Sequence, residues 1–302
     1  MSNYYHGAKA SKQATSVSTP VVADSSIHLI VGTAPVHTVG GKVNEPVYAS
    51  NYAEAVAAMG YSDEWDKYDI CEEIYSSFKL YSNGPIIMVN VLDPAKHLKG
   101  AETVEKTLAG GITELPYEAV SDTVEVKGYD GEDSLTETYT RGEDYDLFYT
   151  DGVLRLERIE SGKIKADNAR LNIKFNSVDP SKVTKKEIIG GYDTNTNKSS
   201  GFELVDSVYP KYGVIPTLFL APNFSTDSEV AAIMAAKAEN INGLFTGKAI
   251  IDADTETVKV YSDVPTWKSK NNITQPSQLV TWPKYTPVSY THLRAHETRG
   301  NL

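Results

Sequence analysis

Two short, almost continuously apolar runs constrain the fold of this chain most. They are IHLIVG at residues 27–32 and IIMVNV at residues 86–91. Strands of a parallel sheet are covered on both faces and therefore form unbroken apolar runs, whereas half-exposed strands alternate. Two amphipathic helices are predicted between the runs, and each needs a sheet to cover. The sequence therefore predicts an α/β fold.

The first of these helices has signals at both ends. Asn51 is its predicted N-cap, with Glu54 as the capping-box partner, and Gly60 ends it. The second helix has an apolar stripe at every fourth residue: Ile70, Ile74 and Phe78.

The apolar period changes after residue 94. It becomes two in TVEVK at residues 123–127 and in LNIKF at residues 171–175. The pairs Asp130-Gly131 and Asp151-Gly152 separate such runs, and Asp-Gly favours tight hairpin turns. This stretch predicts antiparallel β-structure.

The α/β pattern then resumes. Three further strands are predicted, at residues 214–222, 248–252 and 277–283. A helix precedes them with an apolar face formed by Phe202, Val205 and Val208. Thr226 and Glu229 predict a second capping box, ahead of the helix between the first two of these strands.

The predicted architecture is a three-layer α/β core interrupted by an inserted antiparallel β domain of sandwich or barrel type. The core comprises residues 24–95 and 182–286, and the insert spans residues 96–181. Residues 1–23 are predicted to be an extended polar arm. The arm has too few apolar side chains to offset the entropy of ordering it, so we expect a partner to order it.

Residues 287–302 are expected to be non-native. The back-translation of SYTHLRAHET, at residues 289–298, resembles an adapter used in transposase-based sequencing libraries. We therefore expect a translated adapter joined to a truncated gene, and such segments are excluded from fold reasoning. His292 and His296 consequently support no functional inference.

Composition excludes several classes of function. The net charge of -11 argues against a direct nucleic-acid partner, because such binding needs clustered Lys and Arg. Cys71 is the only cysteine, so no internal disulfide forms, and we expect it to be a small buried hydrophobe. No run approaches the roughly 18 apolar residues of a membrane span. A secretory signal peptide is not evident either, so we expect synthesis in a bacterial cytoplasm without stable membrane insertion.

One stretch comes close to a phosphate-binding loop. GTAPVHTVGGKV has Gly41-Lys42 after a strand, but Val36 occupies the position of the first glycine. Val43 occupies the position of the Ser or Thr that holds magnesium. A glycine-containing loop without nucleotide is therefore the favoured interpretation.

A second stretch, DTNTNK at residues 193–198, has the alternating oxygen ligands of a calcium loop. Lys198 replaces the sharp-turn glycine and Leu204 replaces the closing glutamate. We therefore expect a solvated loop.

Two carboxylates lie where α/β enzymes place catalytic groups. Asp252 ends a predicted strand, and Asp254 follows it. No G-x-S-x-G nucleophile accompanies them. The remaining histidines are scattered without metal-ligand spacing, at His6, His28, His37 and His97. We expect His28 to be a hydrogen-bonded core residue, and the residues predict no active site, metal or cofactor.

Several segments resemble, in this order, the tail sheath proteins of contractile-tailed bacteriophages and related prophage particles. Residues 5–38, 44–61 and 70–94 contribute most, and residues 215–225 and 277–283 fit the same family. The resemblance covers essentially the whole genuine chain. Family members continue into a C-terminal domain and arm, so the resemblance implies that this part is missing here.

The resemblance implies a structural subunit of the virion tail and not an enzyme. Sheath subunits stack as rings around a tail tube, and on a signal from the baseplate the sheath contracts and drives the tube through the host envelope. The implied partners are further copies of the subunit, the tube protein and the baseplate. Terminal arms add strands to sheets of neighbouring subunits. The expected arm residues are Ala14, Thr15, Ser16, Val17, Ser18, Thr19, Pro20 and Val21, with residues 15–19 as the donated strand.

Two alternatives remain open, because a fold does not determine a function. One is a hydrolase-type enzyme that uses Asp252 or Asp254. The other is a surface module whose β insert binds a host receptor.

Overall fold

The structure is a computed structural model and describes residues 27–130, 134–150 and 152–284. The predicted arm residues 14–21 and the predicted adapter residues 287–302 lie outside the described residues, as do Gly131 and Asp151 of two predicted turns.

The elements are numbered along the chain. The strands are β1 (His28–Gly32), β2 (Val47–Ala49), β3 (Ile86–Asn90), β4 (Leu98–Thr107), β5 (Ile112–Leu115), β6 (Glu125–Asp130), β7 (Ser134–Tyr139), β8 (Tyr145–Thr150), β9 (Val153–Arg158), β10 (Arg170–Val178), β11 (Gly191–Asp193), β12 (Lys198–Ser200), β13 (Leu218–Leu220), β14 (Lys248–Asp252) and β15 (Gln278–Thr281). The α-helices are α1 (Tyr52–Met59), α2 (Asp69–Tyr75), α3 (Lys185–Ile189), α4 (Val205–Tyr212), α5 (Ser228–Glu239) and α6 (Val264–Lys270).

The main sheet contains six strands in the order β15-β14-β13-β1-β3-β2. Its strands are parallel except for β2, which is antiparallel to β3. Leu29 of β1 is paired with Phe219 of β13 on one side and with Ile87 of β3 on the other. The two apolar runs that dominate the sequence thus form adjacent central strands. Of the strand predicted at residues 214–222, only Leu218–Leu220 is a strand in the structure, and it is β13.

One face of the main sheet packs against the first two helices. Successive side chains of a strand point to opposite faces, so Ile30 of β1 and Met88 of β3 lie on the same side. They form a buried cluster with apolar side chains of α1 and α2, namely Ala55, Met59, Ile70 and Ile74.

The other face packs against the later helices. Leu29 and Val31 of β1 and Phe219 of β13 point to this side and are fully buried. Side chains of α3 to α6 complete this core, among them Ile188, Val205, Val208, Val230, Met234 and Trp267.

The region between β3 and α3 forms two smaller antiparallel sheets. One has the strand order β4-β10-β6-β7 and the other β5-β9-β8. They enclose a separate apolar cluster that includes Leu115, Val126, Leu147, Leu154, Ile173 and Phe175. We call the residues from β4 to β10 the inserted unit and the main sheet with its helices the α/β unit. The division into a core and an inserted domain at residues 96–181 stays our proposal.

At the ends of α1 the predicted N-cap and the predicted end are correct, and the predicted capping box is wrong. Asn51 is the N-cap, because its Oδ1 accepts a hydrogen bond of 3.0 Å from the backbone N–H of Glu54, and Gly60 follows the helix. Glu54 does not close the predicted box on Asn51. Its carboxylate accepts hydrogen bonds from the backbone N–H and the hydroxyl of Ser50 instead.

The predicted capping box at Thr226 is wrong. Asp227 is the N-cap of α5, and its Oδ1 accepts from the backbone N–H groups of Glu229 at 2.8 Å and Val230 at 3.4 Å. A carboxylate one residue closer to the first turn reaches these donors directly. A complete capping box occurs instead at α3, between Thr184 and Glu187.

Candidate functional site

The carboxyl edge of the main sheet places Asp252 at the end of β14, as predicted. Its Oδ2 accepts a hydrogen bond of 2.9 Å from the hydroxyl of Ser225, and its Oδ1 accepts one of 2.8 Å from the hydroxyl of Thr281. The hydroxyl of Ser225 in turn accepts from the backbone N–H of Asp252 at 3.0 Å. The carboxylate therefore ties together β14, β15 and the loop after β13.

This arrangement is suited to holding strands and not to attacking a substrate. Ser225 is completely buried, so its oxygen is closed to solvent. A serine nucleophile needs an accessible oxygen and a base positioned to take its proton. Here the hydroxyl and the carboxylate bind each other within the fold.

Asp254 belongs to a different local structure. Its carboxylate accepts hydrogen bonds from the hydroxyl of Thr257 at 2.8 Å and the backbone N–H of Glu256 at 2.9 Å. These hydrogen bonds lower the pKa of Asp254. The two predicted carboxylates thus have separate partners.

A buried carboxyl that the sequence analysis missed lies at the end of β1. Oδ1 of Asp69, the first residue of α2, accepts hydrogen bonds from the backbone N–H of Thr33 at 2.6 Å and from its hydroxyl at 3.2 Å. Burial raises the pKa of Asp69 to about 7. A Cβ at Gly32 would lie 2.1 Å from Oδ1 of Asp69, so this close approach requires glycine. Asp69 therefore joins α2 to β1.

Asn90 has the equivalent role at the end of β3. Its Oδ1 accepts from the backbone N–H groups of Ala34 at 2.9 Å and Leu92 at 3.1 Å. Its Nδ2 donates to the carbonyl oxygen of Leu92 at 2.9 Å. The edge where α/β enzymes bind substrates is thus occupied here by hydrogen bonds within the chain.

The stretch that resembles a phosphate-binding loop and the stretch that resembles a calcium loop both have local structural roles. A Cβ at Gly41 would lie 2.3 Å from the carbonyl oxygen of Ala58, so Gly41 permits its loop to pack against α1. Asp193 of the calcium-like stretch accepts from the backbone N–H of Asn195 and the hydroxyl of Thr196, within the turn between β11 and β12.

Among the described residues, no group of three or more His, Cys, Asp or Glu side chains is placed to hold a metal ion. Nor does any helix in the described part of the chain have the length and apolar character needed to cross a membrane.

Cys71 is buried as predicted, and His28 has polar partners as predicted but is only partly buried. Cys71 is fully buried, and burial raises the pKa of its thiol to about 12. His28 is half-buried on β1, with Nδ1 2.6 Å from Oε1 of Glu73 and Nε2 3.3 Å from Nδ2 of Asn83.

His37 lies at the contact between the α/β unit and the inserted unit. Its Nε2 donates a hydrogen bond of 2.9 Å to the carbonyl oxygen of Tyr117. Its ring centre lies 5.7 Å from the ring centres of both Tyr117 and Tyr149, edge to face. Its Nδ1 is buried without a hydrogen-bond partner, and burial lowers the pKa of the imidazole.

Polar contacts reinforce this junction. Nζ of Lys67 lies 2.9 Å from Oε1 of Glu118, and the hydroxyl of Tyr117 donates to the carbonyl oxygen of Tyr61 at 2.9 Å. We call this set of residues the joint: His37, Tyr61, Lys67, Tyr117, Glu118 and Tyr149. Sequence reasoning missed the joint because its members come from four separate segments of the chain and form no periodic motif.

The polar groups at the edge of the sheet and in the joint serve contacts within the fold. No family model matches the chain. The tail sheath protein of Burkholderia phage BcepMu is 28% identical over 257 residues, which are 84% of this chain and 50% of that protein. The chain thus spans about half the length of the curated relative that it matches. This similarity confirms the resemblance to tail sheath proteins.

Proposed function

We propose that the chain is a structural subunit of a contractile phage tail sheath, which polymerises around the tail tube and contracts to drive the tube through the host envelope. The observation that carries this proposal is the similarity to a tail sheath protein across 84% of the chain. Other copies of the subunit, the tail tube and the baseplate are the proposed partners, and the virion tail is the proposed location.

The joint supports this proposal. A sheath that changes its length by moving whole subunits needs subunits that keep their shape. His37 and the Lys67–Glu118 ion pair connect the α/β unit to the inserted unit at two different points. Each unit also has its own apolar core. We expect the contacts of the joint to hold the two units together, so that a rotation applied to one is transmitted to the other.

The arm supplies the proposed connection between subunits. In strand addition, main-chain hydrogen bonds provide the affinity, so a polar segment with few apolar side chains suffices. Residues 15–19, Thr-Ser-Val-Ser-Thr, have the β-branched and hydroxyl side chains that fit an added strand. The residues between this strand and β1 would keep neighbouring subunits linked while the subunits move.

Assembly of a chimeric subunit tests the proposal. Residues 1–284 are joined to the part of the Burkholderia phage protein that lies beyond its match to this chain, and the product is imaged by negative-stain electron microscopy. We expect regular tubes or stacked rings. A cooperatively folded chimera that remains monomeric at all concentrations contradicts the sheath assignment.

Two matched variants test the arm. Ser16→Pro with Ser18→Pro removes backbone N–H donors that an added strand needs, whereas Ser16→Ala with Ser18→Ala keeps them. We expect the proline variant to form no tubes and the alanine variant to form them. Equal tube formation by both variants shows that these residues do not form the connecting strand.

A further inference from the structure

The face of the main sheet that carries α1 and α2 is covered over only part of its width. Under the helices, Ile30, Ile86 and Met88 are completely buried. Further along the sheet, apolar side chains on the same face are exposed in part, and the one on the edge strand β15 is 46% exposed. We call these residues the open face: Leu218, Leu220, Ile250 and Leu279.

The opposite face of the same strands is closed. Phe219 of β13 and Ala249 and Ile251 of β14 have no exposed surface. They alternate with the open-face residues along their strands, so they point the other way, towards the core completed by α3 to α6. Strands β13, β14 and β15 are parallel, and parallel sheets are normally covered on both faces. Among the described residues, Leu220 packs against the cluster under α1 and α2, whereas Leu279 at the edge is 46% exposed, so this part of the face is incompletely covered.

We propose that an amphipathic helix from the part of the sheath subunit that lies outside this chain covers the open face. This inference rests on the proposed function, since the match spans only 50% of the related sheath protein and leaves the other half without a counterpart in this chain. The dimensions fit. Three strands about 4.8 Å apart present roughly 14 Å of surface, and a helix with its side chains is about 10–12 Å across.

The charges around the open face determine the direction of the helix. Asp252 and Glu72 lie near each other at the carboxyl end of the strands. Burial raises the pKa of Glu72, and the negative charge of Asp252 raises it further. Lys284 offsets part of this negative charge. The exposed Lys248 lies at the amino end of β14. A helix dipole is positive at the N-terminus and negative at the C-terminus. The helix therefore runs antiparallel to the strands, with its N-terminus near Asp252 and its C-terminus near Lys248.

A polar network borders the open face on the side of α2. His28 of β1 is paired with Leu218 of the open face in the adjacent strand. Its Nδ1 contacts the carboxylate of Glu73, which also accepts a hydrogen bond of 2.6 Å from the hydroxyl of Ser77. The covering helix therefore places apolar side chains over Ile250 and Leu279 and polar ones towards α2. Such a helix has one apolar stripe and not an apolar surface all round.

Cysteine labelling tests the inference directly. Leu279→Cys is made in the full chain and in the chimera described above, and the rate of reaction with a maleimide is measured. Cys71 is buried, so the background is low. Tyr192→Cys, at a hairpin residue that is 58% exposed, is the matched control. In the full chain both introduced thiols react at comparable rates. In the unassembled chimera, the thiol of L279C reacts at least about 100-fold more slowly, because it is exposed only by local opening, whereas the control is unchanged.

Three results overturn the inference. The first is equal reactivity of L279C in the chain and in the chimera. The second is a thiol protected in the full chain at every concentration, which means that the chain's own flanking residues cover it. The third is protection that appears only as the concentration of the full chain rises, which means that a second copy covers it. The labelling rate is measured on the unassembled chimera and does not depend on tube formation. A failure of the chimera to form tubes can therefore be distinguished from a failure of this inference.

A second pair of variants applies even where the chimera does not fold. In the full chain, Leu279→Lys places a charge on the open face, and Val280→Lys places one against the covered core. The expected result is an unchanged urea midpoint for L279K and a clearly lowered one for V280K. A midpoint lowered equally by both shows that the face is already covered, and the inference fails.

Discussion

The Nε2 atom of His37 donates a hydrogen bond of 2.9 Å to the carbonyl oxygen of Tyr117. This bond joins the loop after β1 to the inserted unit, and it requires the imidazole tautomer with the proton on Nε2. Protonation adds a second N–H at Nδ1, which is buried without an acceptor. The joint is therefore most stable when His37 is neutral.

Acidification is expected to weaken the joint. Burial lowers the pKa of His37 below its ordinary value of 6.5. The unfolded chain therefore takes up this proton first, and the stabilisation present above pH 6.5 is lost as the pH falls towards the folded pKa. The variant His37→Gln keeps an N–H donor without titrating. Urea unfolding at about pH 7.5 and 5.5 should show a larger loss for the native chain than for the variant. Identical losses contradict this role for His37.

Asp69 should have the opposite pH dependence. Its pKa rises from 3.8 in the unfolded chain to about 7 in the fold, so the folded state holds the proton more tightly between these values. Its contribution to stability is thus greatest at acid pH and is lost as the pH rises from about 4 to about 7. Asp69→Asn should remove this dependence, measured by urea unfolding across that range.

Removing the acceptor at this position is a separate test. Asp69→Ala leaves the buried N–H of Thr33 without its partner, so at about pH 4, where the folded carboxyl is protonated, we expect a loss of about 1–3 kcal/mol in the free energy of unfolding, and a smaller loss at about pH 7. A pH dependence that persists in Asp69→Asn, or a neutral Asp69→Ala, shows that this carboxyl is not the origin of the effect.

Asp252 should contribute to stability. Asp252→Ala removes the acceptor of the buried Ser225 hydroxyl and of Thr281, and we expect it to lower the free energy of unfolding by about 1–3 kcal/mol. Asp254→Ala, in an exposed turn, is the control and should cost less than about 1 kcal/mol. Catalytic residues are often strained, and their removal can stabilise a fold. A more stable Asp252→Ala variant therefore supports the enzyme alternative.

The inserted unit should fold alone. It has its own buried cluster, and both strands that enter and leave it, β4 and β10, pair with each other. Residues 96–181 expressed alone should give a β-rich circular dichroism spectrum and a cooperative melt. Since isolation exposes the joint face of Tyr117 and Tyr149, the isolated unit should be less stable than the whole chain. A random-coil spectrum contradicts the proposed domain division.

The sequence predicts best what depends on neighbours along the chain. The runs that form β1 and β3, the cap at Asn51 and the buried Cys71 were all evident from local pattern. The cap of α5 was misplaced by one residue, because Thr226 and Asp227 are both good capping residues and only the backbone conformation selects between them.

Contacts between distant segments were not predictable in this way. Asp69 at the start of a helix has the pattern of an ordinary exposed first-turn acid. Its burial depends on Gly32, the last residue of β1, and on Thr33, which precedes Asp69 by 36 residues along the chain. Asp69 is followed directly by the apolar residues Ile70 and Cys71, and this was the one local signal that could have indicated a buried carboxyl.

Antibody labelling of intact particles tests the central claim most directly. An antibody raised against the inserted unit is conjugated to gold and applied to tail-like particles from the bacterial culture that carries the gene. The sheath account predicts gold along the whole length of the tail shaft, because every ring contains the subunit. Gold confined to the tip of the tail indicates a receptor-binding module instead, and particles that carry no gold on the shaft contradict the assignment to the sheath.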